Sequence, residues 1–227
     1  MKIAEVFYSI QGEGLLAGVP SVFLRTSGCN LRCHWCDTPY TSWQPEGADQ
    51  SVDELLRYVR KSGARHTVVT GGEPFLQPQL AELCIALSDA GQHITIETAG
   101  TVYRDVVCDL ISLSPKLANS TPHEKDEGRW AAQHERLRYQ PDVLRRFLAS
   151  YPYQLKFVVS NEADLAEVER IVADTRADRD RVLLMPEGTT PQAIAAASLW
   201  IVEACKRTGF RYSPRLHVHI WGDKRGV

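Results

Sequence analysis

The sequence predicts an α/β protein built as a partial, open barrel of (β/α)6 type. Three observations carry that reading. Short β-branched runs alternate with helical patterns along the chain, which calls for a parallel sheet with helices packed outside it. Six such units can be counted in 227 residues, whereas a closed eightfold barrel usually needs about 250. Polar and glycine-containing clusters recur directly after the strands, on the face where such folds bind ligands.

The units follow in order. Val22-Phe23-Leu24-Arg25-Thr26 reads as the first strand, and Ser51 is placed to cap a helix opening at Val52-Asp53-Glu54. Thr67–Thr70 is the second strand, followed by a helix from about Gln77 to Ala90 that Gly91 ends. His93–Glu97 and Asp109–Leu113 are the third and fourth. Tyr153–Val159 is the fifth, with a helix over Glu162–Ala173. Arg181–Met185 is the sixth, followed by a helix over Pro191–Thr208, and Leu216–Ile220 reads as a last edge strand. The charge-dense stretch 117–151 breaks the rhythm and holds no strand pattern, although Asp142–Ser150 is compatible with a helix. It reads as an insertion after the fourth strand of a single domain spanning residues 1–227.

Composition narrows the function. Twenty-six basic against 28 acidic side chains give a formal charge of −2. That balance argues against a strongly basic nucleic-acid binder and an acidic solvating tail. The N-terminal residues meet charge at once rather than building a signal-peptide core, and the most apolar long stretch, Pro191–Cys205, is interrupted by Gln192, Ser198 and Glu203. The expectation is a cytoplasmic protein without a membrane segment. The six cysteines could form three disulfides by number alone, but three lie within eight residues and the others stand singly. In a reducing compartment clustered thiols bind metal or do chemistry; Cys84, Cys108 and Cys205 read as small core residues.

Gly28-Cys29-Asn30-Leu31-Arg32-Cys33-His34-Trp35-Cys36 follows the first strand with the spacing C-x3-C-x2-C. Thiolates are the ligands of iron–sulfur clusters. Three cysteines hold three corners of a [4Fe–4S] cubane and leave the fourth iron open to a ligand. A structural zinc site of three cysteines and a histidine is the alternative, but His34 lies between two of the cysteines and cannot easily wrap the same ion. The motif, with aromatic Trp35 before the last cysteine, resembles that of the radical S-adenosylmethionine (SAM) superfamily. The resemblance implies that the open iron binds SAM, which on reduction yields a 5′-deoxyadenosyl radical that takes a hydrogen from substrate.

Other strand ends carry residues suited to such a ligand. Thr70-Gly71-Gly72-Glu73-Pro74 resembles the superfamily's Gly-Gly-Glu-Pro segment, in which Gly72 allows close backbone approach and Glu73 meets the SAM amino group. By the same resemblance Trp35, Glu97, Ser114, Pro115, Lys116, Met185, Pro186, Glu187 and Gly188 are expected on the SAM side. Lys156 and Ser160 are lesser candidates near the fifth strand. His217 and His219, alternating on one strand face without a third ligand, read as structural.

Residues outside the shared motif address the substrate. Gln11 and Glu13 in Gln-Gly-Glu-Gly can read an amide-and-amine edge by paired hydrogen bonds. Arg25 suits a carboxylate. With Asp37-Thr38 and the Trp-Gly…Gly-Val end, the whole chain resembles the 7-carboxy-7-deazaguanine synthase family, which trims the usual barrel. The resemblance implies conversion of 6-carboxy-5,6,7,8-tetrahydropterin to 7-carboxy-7-deazaguanine with release of ammonia. It implies substrate contacts at Ile10, Gln11, Gly12, Glu13, Arg25, Thr70 and Val227, and Mg²⁺ held by the Thr38 hydroxyl. A flavodoxin-like reductant and a homodimer belong to the same expectation. The competing readings are a glycyl-radical-enzyme activase, which shares the cysteine spacing, and a zinc-stabilised binding module. The role of 117–151 is open: covering the site, docking the reductant or padding a dimer interface.

Overall fold

A computed structural model describes residues 1–227. The chain opens with β1 (Lys2–Ile10), returns antiparallel as β2 (Pro20–Thr26), and passes through the cysteine loop into the one-turn helix α1 (Pro39–Ser42). The short β3 (Ala48–Asp49) pairs back onto β1, and α2 (Val52–Ser62) follows. Then come β4 (His66–Gly71), α3 (Leu80–Asp89), β5 (His93–Thr98) and β6 (Leu110–Leu113). Two helices, α4 (Ala131–Leu137) and α5 (Pro141–Ser150), precede β7 (Tyr153–Val159). The chain finishes with α6 (Asp164–Thr175), β8 (Val182–Pro186), α7 (Pro191–Thr208), β9 (Arg211–Tyr212) and α8 (Leu216–Trp221).

All nine strands form one sheet in the order β3-β1-β2-β4-β5-β6-β7-β8-β9, parallel from β2 onward. Its two edges do not pair, so the barrel stays open. Helices cover the outer face. In α2, Val52, Leu55 and Val59 are buried at helical spacing, Ser51 and Glu54 form a reciprocal capping box, and Gly63 ends the helix at φ 70°. Every residue of β7 is buried, as expected of a parallel strand covered on both faces. One contiguous core of 36 buried residues runs between sheet and helices.

The concave face of the sheet carries polar side chains beside an apolar patch of Phe7, Phe23 and Val68. Arg25 of β2 lies opposite Thr70 of β4, and Glu97 of β5 opposite Ser112 of β6, so strand register sets these polar side chains side by side. Period-two alternation puts aliphatic residues toward the helices and these groups toward the barrel interior.

Three expectations need correcting. Leu216–Ile220 is not an edge strand but lies in helix α8. The sheet already ends at the two-residue β9, and a six-residue Leu-His-Val-His-Ile-Trp run satisfies a helical period as well as an alternating one. The N-terminal segment, expected only to precede the first strand, is itself the nine-residue β1, with Ile3 and Phe7 buried. The helix after β4 begins at Leu80 rather than Gln77, because Gln77 precedes Pro78 and is held extended at φ −77° and ψ 122°. The 117–151 insertion holds no strand, and its Asp142–Ser150 stretch lies in α5.

Candidate active site

The cysteine loop, the strand ends after β4, β5, β6 and β8, and the C-terminal tail enclose one cavity of about 490 Å³. Cys29, Cys33 and Cys36 all line it, and all are free thiols. Burial pushes the Cys29 thiol up to about 12 and raises Cys33 as well. Such thiols stay protonated until a metal displaces the proton. No three His, Cys, Asp or Glu side chains converge on one point as a single metal ion requires, and His34 is exposed. Three separate thiols on one wall fit the corners of a cluster better than a tetrahedral zinc site. Cys29 and Cys36, half-buried, pack against an apolar knot of Leu31, Cys33 and Ala99.

Backbone closeness joins the Gly71-Gly72 corner to the start of the cysteine loop. Gly72 N–H donates to the carbonyl of Thr26, and Glu73 N–H donates to that of Gly28. A Cβ on Gly72 would stand 2.1 Å from the Gly28 oxygen, so only glycine lets these two loops meet. Glu73 itself is fully buried, accepting from the Thr98 hydroxyl at 2.8 Å and from the amides of Phe75 and Ala99 at 3.1 and 3.0 Å. Burial raises its pKa despite those bonds. It does not reach the cavity surface, and neither do Pro115, Pro186, Glu187 or Gly188. Trp35, Glu97, Ser114, Lys116 and Met185 do. Lys116 Nζ donates to the carbonyl and hydroxyl of Ser114 at 2.8 and 2.9 Å and lies 5.9 Å from the Trp35 ring centroid.

The residues expected to meet substrate also line this cavity: Ile10, Gln11, Gly12, Glu13, Arg25, Thr70 and Val227. Gln11 Nε2 donates to Glu97 at 3.1 Å and Thr70 Oγ1 to the other Glu97 oxygen at 2.7 Å, joining the three into one unit. Glu13 bonds Lys156 and Arg215 rather than standing free. Burial opposes its ionisation, but those two cations outweigh burial and hold its carboxyl well below the usual range. Gly12 is packed against His217, whose ring a Cβ would strike. Burial lowers the His217 pKa, although Glu13 lies 4.0 Å away.

Arg25 uses Nε for Glu5 at 3.1 Å, and its guanidinium stands 5.5 Å from the Phe7 ring centroid. Arg225 donates to the other Glu5 oxygen at 2.9 Å and to Glu46 at 3.1 Å, with its guanidinium 3.8 Å from the centre of the Tyr40 ring. Those contacts bring Val227 to the cavity mouth. Thr38 lines the wall beside Cys36, its hydroxyl 3.8 Å from that sulfur.

Sequence reasoning missed several lining groups: Arg215, Glu5 and Tyr40, whereas the C-terminal tail that it singled out does line the cavity from Gly222 to Val227. Arg215 joins Glu13, the carboxylate of Asp37 and the carbonyl of Gly188. No local motif announces it, since its partners lie up to 202 residues away. Lys156, a lesser candidate, lines the cavity and pairs with Glu13, whereas Ser160 does not line it. His217 lines it too, set there by α8.

Comparisons with known proteins agree with this geometry. The radical SAM superfamily model matches residues 23–122. A 7-carboxy-7-deazaguanine synthase of Halobacterium salinarum is 46% identical, over 98% of this chain and 91% of that protein. One of Rhodopirellula baltica is 45% identical over 100% of this chain and 89% of its own. Among solved structures, QueE from Escherichia coli superposes with a TM-score of 0.70 at 27% identity, covering 95% of this chain and 94% of that one.

Proposed function

The chain belongs to the 7-carboxy-7-deazaguanine synthase family, and from that premise we propose how its own residues serve the reaction. The protein is a radical SAM ring-contracting enzyme of deazapurine biosynthesis that uses a [4Fe–4S] cluster and SAM. Its substrate on this reading is 6-carboxy-5,6,7,8-tetrahydropterin and its products are 7-carboxy-7-deazaguanine and ammonia. When bound, the cluster and SAM supply radical hydrogen abstraction at C6 of the substrate.

Cys29, Cys33 and Cys36 hold three irons. Trp35, Gly72, Ser114, Lys116 and Met185 form the SAM side, with Glu73 and its Thr98 and Ala99 partners keeping the Gly-Gly corner rigid behind them. Pro115, Pro186, Glu187 and Gly188 shape the SAM-side loops from behind the wall. Gln11 and Thr70, each bonded to Glu97 of the SAM side, read the polar edge of the pterin, with Ile10, Gly12 and Val227 bounding it. Glu13, its charge balanced by Lys156 and Arg215, meets the same edge, and its backbone N–H donates to Gln11 Oε1 at 3.1 Å. Arg25 takes the substrate carboxylate with the two Nη groups that Glu5 leaves free. Thr38 offers one oxygen to Mg²⁺, a hard cation that keeps most of its other ligands from water and substrate. A flavodoxin-like protein delivers the electron, and the enzyme works as a cytoplasmic homodimer. No helix is long and apolar enough to cross a membrane.

The observation that carries this reading is the meeting of three free thiols and a half-committed arginine in one cavity. The test is anaerobic iron–sulfide reconstitution followed by SAM, reductant and the carboxylated tetrahydropterin. SAM-dependent formation of the deazapurine is expected. Deoxyadenosine without deazapurine would sink the substrate assignment, and failure to bind iron would sink the cluster assignment too.

A further inference from the structure

The two backbone amides that flank Cys33 both leave the cysteine loop for partners in the 117–151 segment. Arg32 N–H donates to His134 Nδ1 at 3.1 Å, across 102 residues of sequence. His34 N–H donates to the carbonyl of Ser120 at 2.7 Å. A third tether is Trp35 Nε1, which donates to the Asn119 carbonyl at 3.1 Å. The cysteine loop has no regular secondary structure of its own, so these bonds replace the ladder a helix or strand would provide.

His134 is 1% exposed and sits in a directed chain. The Ser120 hydroxyl gives its proton to the Leu117 carbonyl at 2.6 Å and so accepts from His134 Nε2–H at 2.9 Å. That fixes the tautomer and leaves the Nδ1 lone pair for Arg32. The same segment adds apolar support, with Leu137 packed on the Leu31–Cys33–Ala99 knot and the Arg32 guanidinium 4.9 Å from the Trp130 ring centroid.

We propose that the segment between β6 and β7 is a clamp that holds the cysteine loop in its cluster-binding shape, with His134 as its positioning residue. The inference rests on the reading that Cys29, Cys33 and Cys36 hold the cluster. His134 touches no reacting atom; it acts through the Arg32 amide on Cys33, as partners behind a ligand orient the ligand itself. Burial also keeps its imidazole neutral, which an acceptor at Nδ1 requires.

The experiment measures how fast the reconstituted holoprotein loses iron to a ferrous chelator under anaerobic conditions. It also records the electron paramagnetic resonance spectrum of the reduced cluster with SAM. His134→Ala should release iron about tenfold faster and shift the spectrum. His134→Asn, whose Oδ1 can stand where Nδ1 stood, should recover most of both. Ser120→Ala, which keeps the backbone acceptor, should fall between wild type and His134→Ala and serves if the alanine variant does not fold. Wild-type iron release and spectra in both His134→Ala and Ser120→Ala would overturn the clamp, as would equal failure of His134→Asn and His134→Ala. Cys33→Ala separates the two readings: a full cluster retained there refutes the ligand assignment itself, and the clamp with it.

Discussion

Arg25 meets the cavity with one edge of its guanidinium already committed to Glu5. Holding the cation by Nε fixes its plane and leaves its other donors for the substrate carboxylate of the proposed function. Arg25→Ala should therefore raise the KM for the carboxylated pterin by one to two orders of magnitude, corresponding to about 1.5–3 kcal/mol for a hydrogen bond to a charged group. SAM cleavage to deoxyadenosine should survive. Titration calorimetry or steady-state kinetics giving unchanged substrate affinity would remove Arg25 from the carboxylate site. His134 makes a second residue-scale prediction. Its pKa falls from 6.5 to about 4, chiefly through burial; Glu135 favours the charged form, while Arg138, Lys116 and His123 disfavour it. The unfolded chain then binds a proton at higher pH than the folded one. The contribution is present in full above about 6.5 and is lost as pH falls toward 4, with a limit of about 3 kcal/mol. Urea unfolding of the apo-protein at pH 7 and pH 4.5 should show that loss, and His134→Asn should flatten it. Equal pH slopes in the two proteins would contradict the assignment.

At the scale of elements, function depends on loops that regular structure brings close. The corner after β4 and the cysteine loop after β2 meet backbone to backbone at Gly72, because β2 and β4 are parallel neighbours and both chains leave the sheet on the same side. Gly72→Ala would drive a methyl into the Gly28 carbonyl, with the Thr41 carbonyl also within 2.9 Å. Neither is a flexible side-chain end, so one loop must move. The variant should fold, keep its far-ultraviolet circular dichroism and lose at least about tenfold in SAM affinity, in line with the cost of misplaced site geometry. Wild-type SAM binding would mean that the wall tolerates the shift.

Over the whole molecule, the open barrel raises a mechanical question that Arg215 answers. The sheet edges do not pair, yet the cavity is lined by segments from both ends of the chain. Arg215 spans them: one guanidinium reaches Glu13 after β1, Asp37 beyond the cysteine loop and the Gly188 carbonyl after β8. It is 6% exposed, and neighbouring carboxylates raise its pKa against the pull of burial. Removing Arg215 strands Asp37, whose side chain is 42% exposed and partly screened by water, so Arg215→Met should destabilise the fold by about 1–3 kcal/mol. Glu13 would keep Lys156, and Asp37→Asn added to Arg215→Met should recover part of the loss. Chemical denaturation that finds both variants within about 0.5 kcal/mol of wild type would show that the open side needs no such tie.

Local patterns were legible from sequence. Helix α7 has the Pro191–Thr208 limits that its pattern predicts, since the Thr190 cap, Pro191 and Gly209 mark both ends locally. The cysteine spacing and the Gly71-Gly72-Glu73-Pro74 corner are local as well, and the fold brings the thiols, Gly71 and Gly72 to one cavity while Glu73 and Pro74 turn into the protein. The run Leu216–Trp221 fits a strand period as well as a helical one, and only the tertiary structure, in which the sheet ends at β9 and the run winds into α8, decides between them. Residues such as Arg215 and His134 leave no local trace, because the partners that give them meaning stand 178 and 102 residues away.

By itself, then, the sequence determined the alternation that makes a short parallel barrel, the three clustered thiols and the family to which they point. Each follows from residues near one another in the chain, where spacing and chemistry are read together. Only the tertiary structure decided which polar groups face the cavity and which are spent holding it. It neutralised Glu13, turned Glu73 inward, brought Val227 to the mouth and set the inserted segment behind Cys33. Those outcomes depend on burial and on charges meeting across the fold, and both exist only once the chain has closed around them.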